Sequence, residues 1–325
     1  MQKPTAYCRS LLLFLIVTTC TTAVQAQHGG RAGAFSRLGF GPRGMAMGNA
    51  FTATTQEGIY SYYNPAVVAH AGTGNQIDLS TAAMSFDRSL HTISSTFRLP
   101  PSAGASISII NANVNDIDGR NADGYHTNML STHEYQLTAT AGLSLRNNLS
   151  VGLGVKYYLS DLHNAVDNAT TVGLDIGLLY KISNQLQLGA TVQDLIAAYS
   201  WNSSNFYGDN LSSQNDPFPT QIKLGIFYNP MDKFHISLDG GQQIHEEGTI
   251  TNINLGMAYG LHERVTLRAG WQIDAISAIK KTNHASAGFS IHLPFDFMNP
   301  SIDYAFVQES NKIAYMHIFG IQLNL

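Results

Sequence analysis

The amino-acid sequence predicts an all-β transmembrane protein, a closed antiparallel β-barrel of about 14 strands. Three observations carry this prediction. Only 12% of the 325 residues are charged and 44% are hydrophobic, which is about half the charge of a typical soluble domain. Apolar and polar residues alternate along most of the chain, and the connections between the alternating stretches are short at one end and longer at the other. The mean hydropathy of −0.05 hides this character, because a membrane barrel is apolar outside and polar inside.

Residues 1–26 have the pattern of a secretory signal peptide. Lys3 and Arg9 form the positive start, residues 11–17 the apolar centre, and Ala26 ends a small-residue cleavage site. The apolar run is too short for a membrane-spanning helix, which needs about 20 residues. Cys20 offers a lipoprotein alternative, but the residues before it lack the usual Leu-Ala-Gly run.

The predicted mature chain has no cysteine and no surplus of basic residues. Cys8 and Cys20 both lie in the leader, which excludes disulfides, thiolate metal sites and cysteine nucleophiles further along. Without Lys3 and Arg9 there are 16 basic residues (18 − 2) against 22 acidic ones, a net charge of −6. Nucleic-acid binding usually needs a basic patch, so we expect no nucleic-acid partner.

Strict alternation predicts strands from residue 76 onward. In the stretch 149–157, the odd-numbered positions are apolar or aromatic and the even-numbered ones are Ser, Gly or Lys, a period of two that indicates strands with one polar face. Most such stretches are longer than the 5 to 6 residues typical of soluble strands and match the roughly 9 to 11 of a tilted membrane strand. Fourteen are predicted, at 76–87, 90–99, 103–112, 132–145, 149–158, 170–182, 185–195, 218–228, 234–243, 248–260, 264–273, 284–293, 300–309 and 314–325.

Loop lengths give the predicted barrel an orientation. Short turns include 100–102, 146–148 and 183–184, whereas longer connections at the other end include 113–131 and 196–217. An even number of strands with this asymmetry is typical of outer-membrane barrels, and it places both termini at the short-turn, periplasmic end. Lipid does not tolerate unpaired strand edges, so the sheet must close. A secreted sandwich or propeller is the soluble alternative, but no blade-length repeat is visible.

Aromatic residues stand where the predicted strands end, as expected for two interfacial girdles. They are Tyr157, Trp271 and Tyr315 at the long-loop end, and Tyr180, Tyr228 and Tyr259 at the other.

No polar cluster in the sequence predicts a catalytic or metal site. The loop from Asn113 to Gly124 resembles a calcium loop only weakly, because the second Gly falls too late and no acidic residue closes it. The twelve histidines are scattered, and neither a nucleophile turn nor a phosphate loop is present. We therefore expect a non-enzyme without cofactor or metal. Inward-facing charges are predicted to form an internal salt-bridge lattice: Lys156, Asp175, Lys223, Asp239, Arg268 and Asp303.

The segment before the strands carries a family resemblance. Its sequence, GPRGMAMGNAFTATTQEGIYSYYNPAVVAHA from Gly41 to Ala71, resembles the N-terminal region of the PorV/PorQ-type, FadL-like outer-membrane β-barrel family. Stretches 192–195, 216–228 and 301–306 are similar to later family landmarks, whereas Glu57-Gly58 and Val67-Val68 depart from the pattern. The matching positions are Arg43, Gly44, Met47, Gly48, Ala50, Phe51, Tyr63, Asn64, Pro65 and Ala66.

The resemblance implies a fourteen-strand barrel whose N-terminal segment folds into the lumen. We therefore predict a small, partly helical plug at 27–75 and the barrel at 76–325, with Asn64-Pro65-Ala66 as a structural latch. The predicted structural motif of the plug comprises Arg43, Gly44, Met47, Gly48, Asn64, Pro65 and Ala66.

The resemblance also implies a function in the outer membrane of a Gram-negative bacterium, in contact with its lipid. The main expectation is a role in type IX protein secretion, with secretion-system components or secreted cargo as partners. The alternative is a FadL-like channel that takes up long-chain fatty acids or other hydrophobic solutes and holds a hydrophobic small molecule in its lumen. A third possibility is a structural barrel that binds periplasmic partners. An apolar lumen with a gap in the wall would favour the channel, and a sealed, charge-paired lumen would favour an interaction protein.

Overall fold

The computed structural model describes residues 30–163, 166–201, 214–246, 248–275, 281–293, 295, 298–309 and 314–325. The predicted signal peptide, 1–26, lies outside these residues. Fourteen strands form a closed antiparallel barrel, which confirms the predicted fold class. No helix among the described residues is both long and apolar enough to cross a membrane.

The barrel strands follow one another around the wall, and β1 pairs with β16 to close it. β7 pairs directly with β10, because β8 and β9 form a separate two-stranded sheet between them in the chain. The strands are β1 Gln76–Met84, β2 Arg88–Leu99, β3 Ala103–Arg120, β4 His126–Arg146, β5 Leu149–Asp161, β6 Ala169–Lys181, β7 Leu186–Leu195, β8 Ala198–Trp201, β9 Gln214–Pro217, β10 Thr220–Met231, β11 Phe234–His245, β12 Gly248–His262, β13 Val265–Ala275, β14 Lys281–His292, β15 Ser301–Gln308 and β16 Tyr315–Asn324.

Two predicted loops at the long-loop end contain strand structure. β3 and β4 continue through most of the predicted loop 113–131, and β8 and β9 lie within 196–217. The Asn- and Asp-rich sequence of the first loop has low strand propensity, and only pairing with the neighbouring strand makes it extended. Asp118, in the stretch compared above with a calcium loop, pairs with Arg120 at 2.5 Å and His126 at 2.5 Å.

The outer face of the barrel is apolar, as lipid contact requires. Leu153 and Leu224 are 63% and 64% exposed on this face. The six predicted girdle residues are also exposed, each by 39% to 48%. Because Tyr and Trp combine an apolar ring with a polar group, they suit the two membrane–water interfaces.

Residues 31–75 of the described chain before β1 pack inside the barrel with little regular structure. It contains a 3-10 helix at Ala34–Arg37, one short α-helix, α1, at Gly41–Ala46, and a second 3-10 helix at Pro65–His70. Proline stands at the start of the last two, where its missing N–H is not needed. The side chain of Asn64 caps the second 3-10 helix by accepting a hydrogen bond from the Ala66 N–H at 2.9 Å.

This internal segment descends through the barrel from the long-loop end to the short-turn end. Arg31 donates a hydrogen bond to the Gly248 carbonyl, at the start of β12 and the long-loop end. Asn75 donates to the Leu325 carbonyl at the opposite end. The described chain therefore begins at the end opposite Leu325, whereas the loop pattern predicted both termini at the periplasmic end. Loop lengths report only on the strands, so they do not detect a segment that passes through the lumen.

Glycines on the inner face of the wall make room for this segment. Gly104, Gly142, Gly152 and Gly177 lie side by side across β3 to β6. A Cβ at Gly152 would be 2.3 Å from the Pro65 carbonyl carbon, and one at Gly177 would be 2.1 Å from Asn64 Oδ1. Further inner-face glycines meet the segment in the same way: Gly189, Gly225, Gly256, Gly270, Gly288 and Gly320. We call these ten residues the glycine belt.

Candidate functional site

The lumen of the barrel is apolar towards the long-loop end and polar towards the short-turn end. One row of directly paired inward residues consists of Ala305, Ile318, Ala82, Leu90 and Ala112. Two rows lower, the same strands present Ser301, Gln322, Asp78, Ser94 and Ser108. We call these two regions the upper lumen and the lower lumen.

Aromatic rings form the other side of the upper lumen. Tyr158 of β5 lies between Phe35 of the plug, at 6.3 Å between ring centroids, and Phe218, at 4.6 Å. Phe218 in turn lies 4.9 Å from Tyr199 of β8. All four side chains are at most 5% exposed and belong to one hydrophobic cluster with Ala82, Leu90 and Ile318. Such a surface can hold an apolar or aromatic molecule through burial and ring stacking.

The lower lumen joins the plug to the wall through buried charges. Arg43 of α1 donates from Nε to both carboxylate oxygens of Asp303 at 3.1 Å, and from Nη2 to Ser301 Oγ at 2.6 Å. Glu57 of the plug accepts from Arg268 at 2.5 Å and lies 2.9 Å from His235 Nδ1. Each buried charge therefore has a partner of opposite sign on the other part of the chain.

The Glu57 carboxyl stays ionised in this setting. Burial alone would raise the pKa of Glu57, but the Arg268 guanidinium and the His235 hydrogen bond outweigh it and hold that pKa well below its usual range. The plug is also held through its backbone. The Asp239 carboxylate accepts from the backbone N–H groups of Phe51 and Thr52, both at 2.9 Å.

A second ionic cluster lies at the seam between β6 and β7. Lys156 Nζ is 2.9 Å from both Asp175 and Asp194. The strand register breaks here, because Leu174 pairs with Leu195 but Ile176 pairs with Val192. Asp194 has a φ of 61°, in the left-handed region that side chains rarely adopt.

Five of the six charges predicted to line the lumen are buried in it and Lys223 is half-buried, but the six do not form one lattice. Lys156 and Asp175 belong to the β6–β7 cluster, whereas Arg268 and Asp303 bind plug residues. Asp239 binds the plug backbone. Lys223 donates to Gln193 Oε1 at 3.2 Å.

The seven residues of the predicted plug motif all lie inside the barrel, in two groups. Arg43, Gly44, Met47 and Gly48 face β13 to β16, where Gly48 has a φ of 61° and contacts the Trp271 backbone. Asn64, Pro65 and Ala66 face the first part of the glycine belt. Asn64 is fully buried and donates to the Thr52 carbonyl at 2.8 Å and the Leu178 carbonyl at 3.1 Å. The Tyr63 ring connects the groups, because it packs over Gly44.

One serine–histidine contact at the short-turn end has the residue types of a nucleophile but the wrong proton arrangement. Ser150 Oγ lies 2.9 Å from His70 Nε2, and Lys181 Nζ lies 3.2 Å from His70 Nδ1. Because an ammonium group only donates, His70 Nδ1 accepts and Nε2 carries the proton. The imidazole therefore does not take a proton from Ser150. Burial, with the nearby Lys181 charge, lowers the pKa of His70 to about 4.

A polar cavity of 570 Å³ opens at the short-turn end, beneath the plug. Its lining includes Arg43, His70, Arg264, His292 and Gln322. Such a lining favours water and polar groups, whereas the upper lumen favours apolar solutes.

Comparison with known proteins identifies the fold. The structure of the Pseudomonas putida toluene transporter TodX matches with a TM-score of 0.63 at 15% sequence identity, covering 88% of this chain and 98% of that one. A Pseudomonas aeruginosa FadL homologue matches with a TM-score of 0.61 at 11% identity, covering 87% and 96%. The monoaromatic hydrocarbon channel CymD matches with a TM-score of 0.58 at 13% identity, covering 88% and 97%. The fold is that of the FadL-like outer-membrane barrels.

Two further comparisons concern the sequence. A family described as "Putative MetA-pathway of phenol degradation" matches residues 44–198, less than half of the chain. No curated protein matches at a significant level. The structural neighbours are transport channels and not enzymes. The findings support the FadL-like part of the predicted resemblance and give no support to its PorV/PorQ part.

Several residues that build the site were missed in the sequence. Glu57 was noted only as a departure from a family pattern, and Arg31, Phe35 and Phe218 were not singled out. A signal for Asp194 did exist, since Gln193 and Asp194 are two successive polar residues at the end of an alternating stretch. Both are buried, which only a bulge in the strand permits.

Proposed function

We propose that this protein is an outer-membrane channel for small hydrophobic molecules, the FadL-like alternative expected from the sequence. The apolar upper lumen carries this proposal, because a row of Ala, Leu and Ile side chains facing the interior has no use in a water-filled pore. The toluene and monoaromatic hydrocarbon channels among the structural neighbours support the same function. The plug motif, with Asn64-Pro65-Ala66 as its latch, is proposed to hold the lumen closed.

The seam between β6 and β7 is the candidate exit for such a solute. On its outer side Ile196 is 76% exposed beside Leu174 and Leu195. On its inner side polar contacts lie behind the break in register: Lys156 binds Asp175 and Asp194. The hydroxyl of Tyr158 and the amide of Gln221 also donate to Asp194. A hydrophobic molecule gains by leaving towards lipid, whereas the cavity at the short-turn end is polar.

Uptake by whole cells tests this proposal. The protein is expressed in a host that lacks other hydrophobic-solute channels, and initial uptake of radiolabelled toluene and oleate is measured. We expect faster uptake of at least one of them than in cells with an empty vector. Uptake equal to that of the empty-vector cells for both solutes contradicts the channel.

A matched pair of variants locates the path. Ala82 is 2% exposed and faces the upper lumen, whereas its neighbour Ala83 faces outward. Ala82→Trp fills the lumen and is expected to abolish the gain in uptake, while Ala83→Trp adds the same side chain to the lipid face and leaves uptake unchanged. Equal uptake by the two variants contradicts a route through the upper lumen.

The secretion function is the second candidate, because the lower lumen is filled by ion pairs between plug and wall. A sealed lumen of this kind suits a barrel that acts through its partners. A pull-down from native outer membranes distinguishes the two. Recovery of type IX secretion components or secreted cargo supports this candidate, and recovery of lipid alone supports the channel.

A further inference from the structure

Basic side chains surround the short-turn end of the barrel. One stands within two positions of each of the five turns that the structure describes in full at this end, the turns after β2, β4, β6, β10 and β12. Lys181 is half-buried and the other four are exposed. We call these five residues the cationic rim: Arg98, Arg146, Lys181, Lys233 and Arg264.

The two mouths of the barrel differ in the sign of their charge. The acidic side chains in the same five turns are Asp232 and Glu263, so these turns have a net charge of +3 (5 − 2). Among the described residues, no ion pair joins a rim cation to a carboxylate. The long-loop mouth is rich in acidic residues instead, which include Asp87, Asp116, Asp123, Asp161, Asp167 and Glu246.

Two residues of the cationic rim lie on the inner face of the wall. Arg98 pairs directly with Gly104 of the glycine belt, and residues that pair directly share one face of a sheet. Lys181 Nζ lies 3.2 Å from Nδ1 of His70, which belongs to the plug. Both side chains therefore border the mouth and not the lipid outside the wall.

Lys233 and Arg264 border the same mouth. A Cβ added to Gly260 would lie 3.6 Å from Lys233 Cβ, and Gly260 has the inward parity of Ala258, which is 2% exposed. Arg264 lines the polar cavity of 570 Å³. The turns of Arg98 and Lys233 lie nearly opposite each other, because six strands separate them on one side and eight on the other.

We propose that the cationic rim is a docking surface for an acidic segment of a periplasmic protein, which caps the short-turn mouth. This inference goes beyond the proposed channel function, because it concerns a partner and not the solute. A negatively charged surface over the mouth meets cations from nearly opposite sides at once, whereas the phosphates of the surrounding leaflet lie outside the wall. The turns between the strands are two to four residues long, so they leave the mouth and its polar cavity accessible.

Binding of a model acidic peptide tests the surface. Purified protein in non-ionic detergent is titrated with a fluorescently labelled Glu-Ser repeat peptide and with a Gln-Ser peptide of the same length, and fluorescence anisotropy is measured. We expect the acidic peptide to bind at low salt and to lose about tenfold or more in affinity at about 0.3 M NaCl, because salt screens exposed charges. Equal binding of the acidic and the neutral peptide overturns the proposal.

Two double variants with the same change of net charge locate the binding. Arg98→Glu/Lys233→Glu reverses two charges of the cationic rim, and Arg120→Glu/Lys281→Glu reverses two exposed charges at the long-loop end. The first is expected to weaken binding of the acidic peptide about tenfold, and the second to leave it unchanged. Heat-modifiable migration shows whether each is folded. If the first is not, Arg98→Gln/Lys233→Gln replaces it, with an expected loss of about threefold. Equal affinities of the rim variant and the control overturn the proposal.

Crosslinking in cells of the native host tests for the partner itself. A photoreactive amino acid replaces Asn147, which is exposed in the turn beside Arg146, and in a control it replaces Ala122 at the long-loop end. We expect the first position alone to crosslink to a Glu- and Asp-rich segment of a periplasmic protein, identified by mass spectrometry. Arg98→Glu/Lys233→Glu should remove that crosslink. Crosslinks to lipid alone, to segments without an excess of acidic residues, or to nothing overturn the inference.

Discussion

Removing Arg43 tests whether buried charge holds the plug in the barrel. Arg43→Met deletes three contacts at once, with the Asp303 carboxylate, Ser301 Oγ and the Glu57 carbonyl at 3.1 Å. The Asp303 side chain is then left buried, 2% exposed, with only serine hydroxyls as partners. Breaking a buried ion pair from one side typically costs about 3–5 kcal/mol. We expect Arg43→Met to lose that amount of plug stability.

A double-mutant cycle separates the pair from its surroundings. Asp303→Asn is expected to cost a comparable amount, because it leaves Arg43 unpaired. The double variant should lose less stability than the two single variants together, and the difference should exceed about 1.5 kcal/mol. The reason is that neither charge is left unpaired when both are removed. Urea unfolding in detergent, followed by tryptophan fluorescence, measures the three free energies. Planar-bilayer recordings should show open pores in the single variants, because a loosened plug unblocks the lumen.

The matched control is an ion pair in a more exposed setting. Arg88 and Glu309 lie 2.7 Å apart at the long-loop end, with 30% and 14% of their side chains exposed. Arg88→Met should cost under about 1 kcal/mol, as exposed pairs do. The reasoning is refuted if the free energy of unfolding of Arg43→Met lies within about 1 kcal/mol of the wild-type value. It is also refuted if the double variant loses as much stability as the two single variants together.

Three further outcomes are expected. Gly177→Val should destabilise the protein by about 1–3 kcal/mol through overpacking, because a Cβ there would meet Asn64. Gly240→Val is the control and should not destabilise it, since nothing lies within 4 Å of its added Cβ. The urea midpoints of unfolding compare the two variants. The pKa of His70 is lowered to about 4 in the folded protein, so between about pH 6.5 and 4 the unfolded chain binds one proton more than the folded protein. The free energy of unfolding should therefore fall as the pH drops through this range. His70→Gln should show a shallower fall, and a pH profile identical to that of the wild type contradicts the prediction. Phe218→Ala should weaken toluene binding several-fold by removing a ring from the upper lumen, which calorimetric titration measures; unchanged affinity would place the solute elsewhere.

The barrel was predictable because its strands repeat one simple pattern. The alternation in residues 149–157 distinguishes lipid-facing Leu153 from inward-facing Gly152, and the structure places them so. The same pattern repeats along fourteen strands, so errors in single boundaries do not change the outcome. The alternation does not explain why an inner position is glycine. That reason is the Pro65 backbone, which lies far away in sequence.

The site was less predictable because its residues act through distant partners. Glu57 reads as an ordinary loop residue until Arg268, 211 positions later, is seen beside it. Arg31 follows two glycines and has no periodic context in the sequence. Its Nε and Nη1 have no hydrogen-bond partner within the described chain, and an absence of this kind is visible only after folding. Composition and periodicity therefore predict the strands of a barrel but not the contacts inside its lumen.

The downward course of the plug sets an order for assembly of the protein. Arg31 contacts Gly248 at one mouth, while Asn75 contacts Leu325 at the other. The 45 residues 31–75 therefore run through a ring that is closed by β1 and β16. The plug must enter this ring before or while β1 pairs with β16, because the glycine belt leaves no space for it to pass afterwards. A folded domain fused ahead of Arg31 would have to pass the same aperture. Such a fusion is expected to stall the barrel before its first and last strands meet.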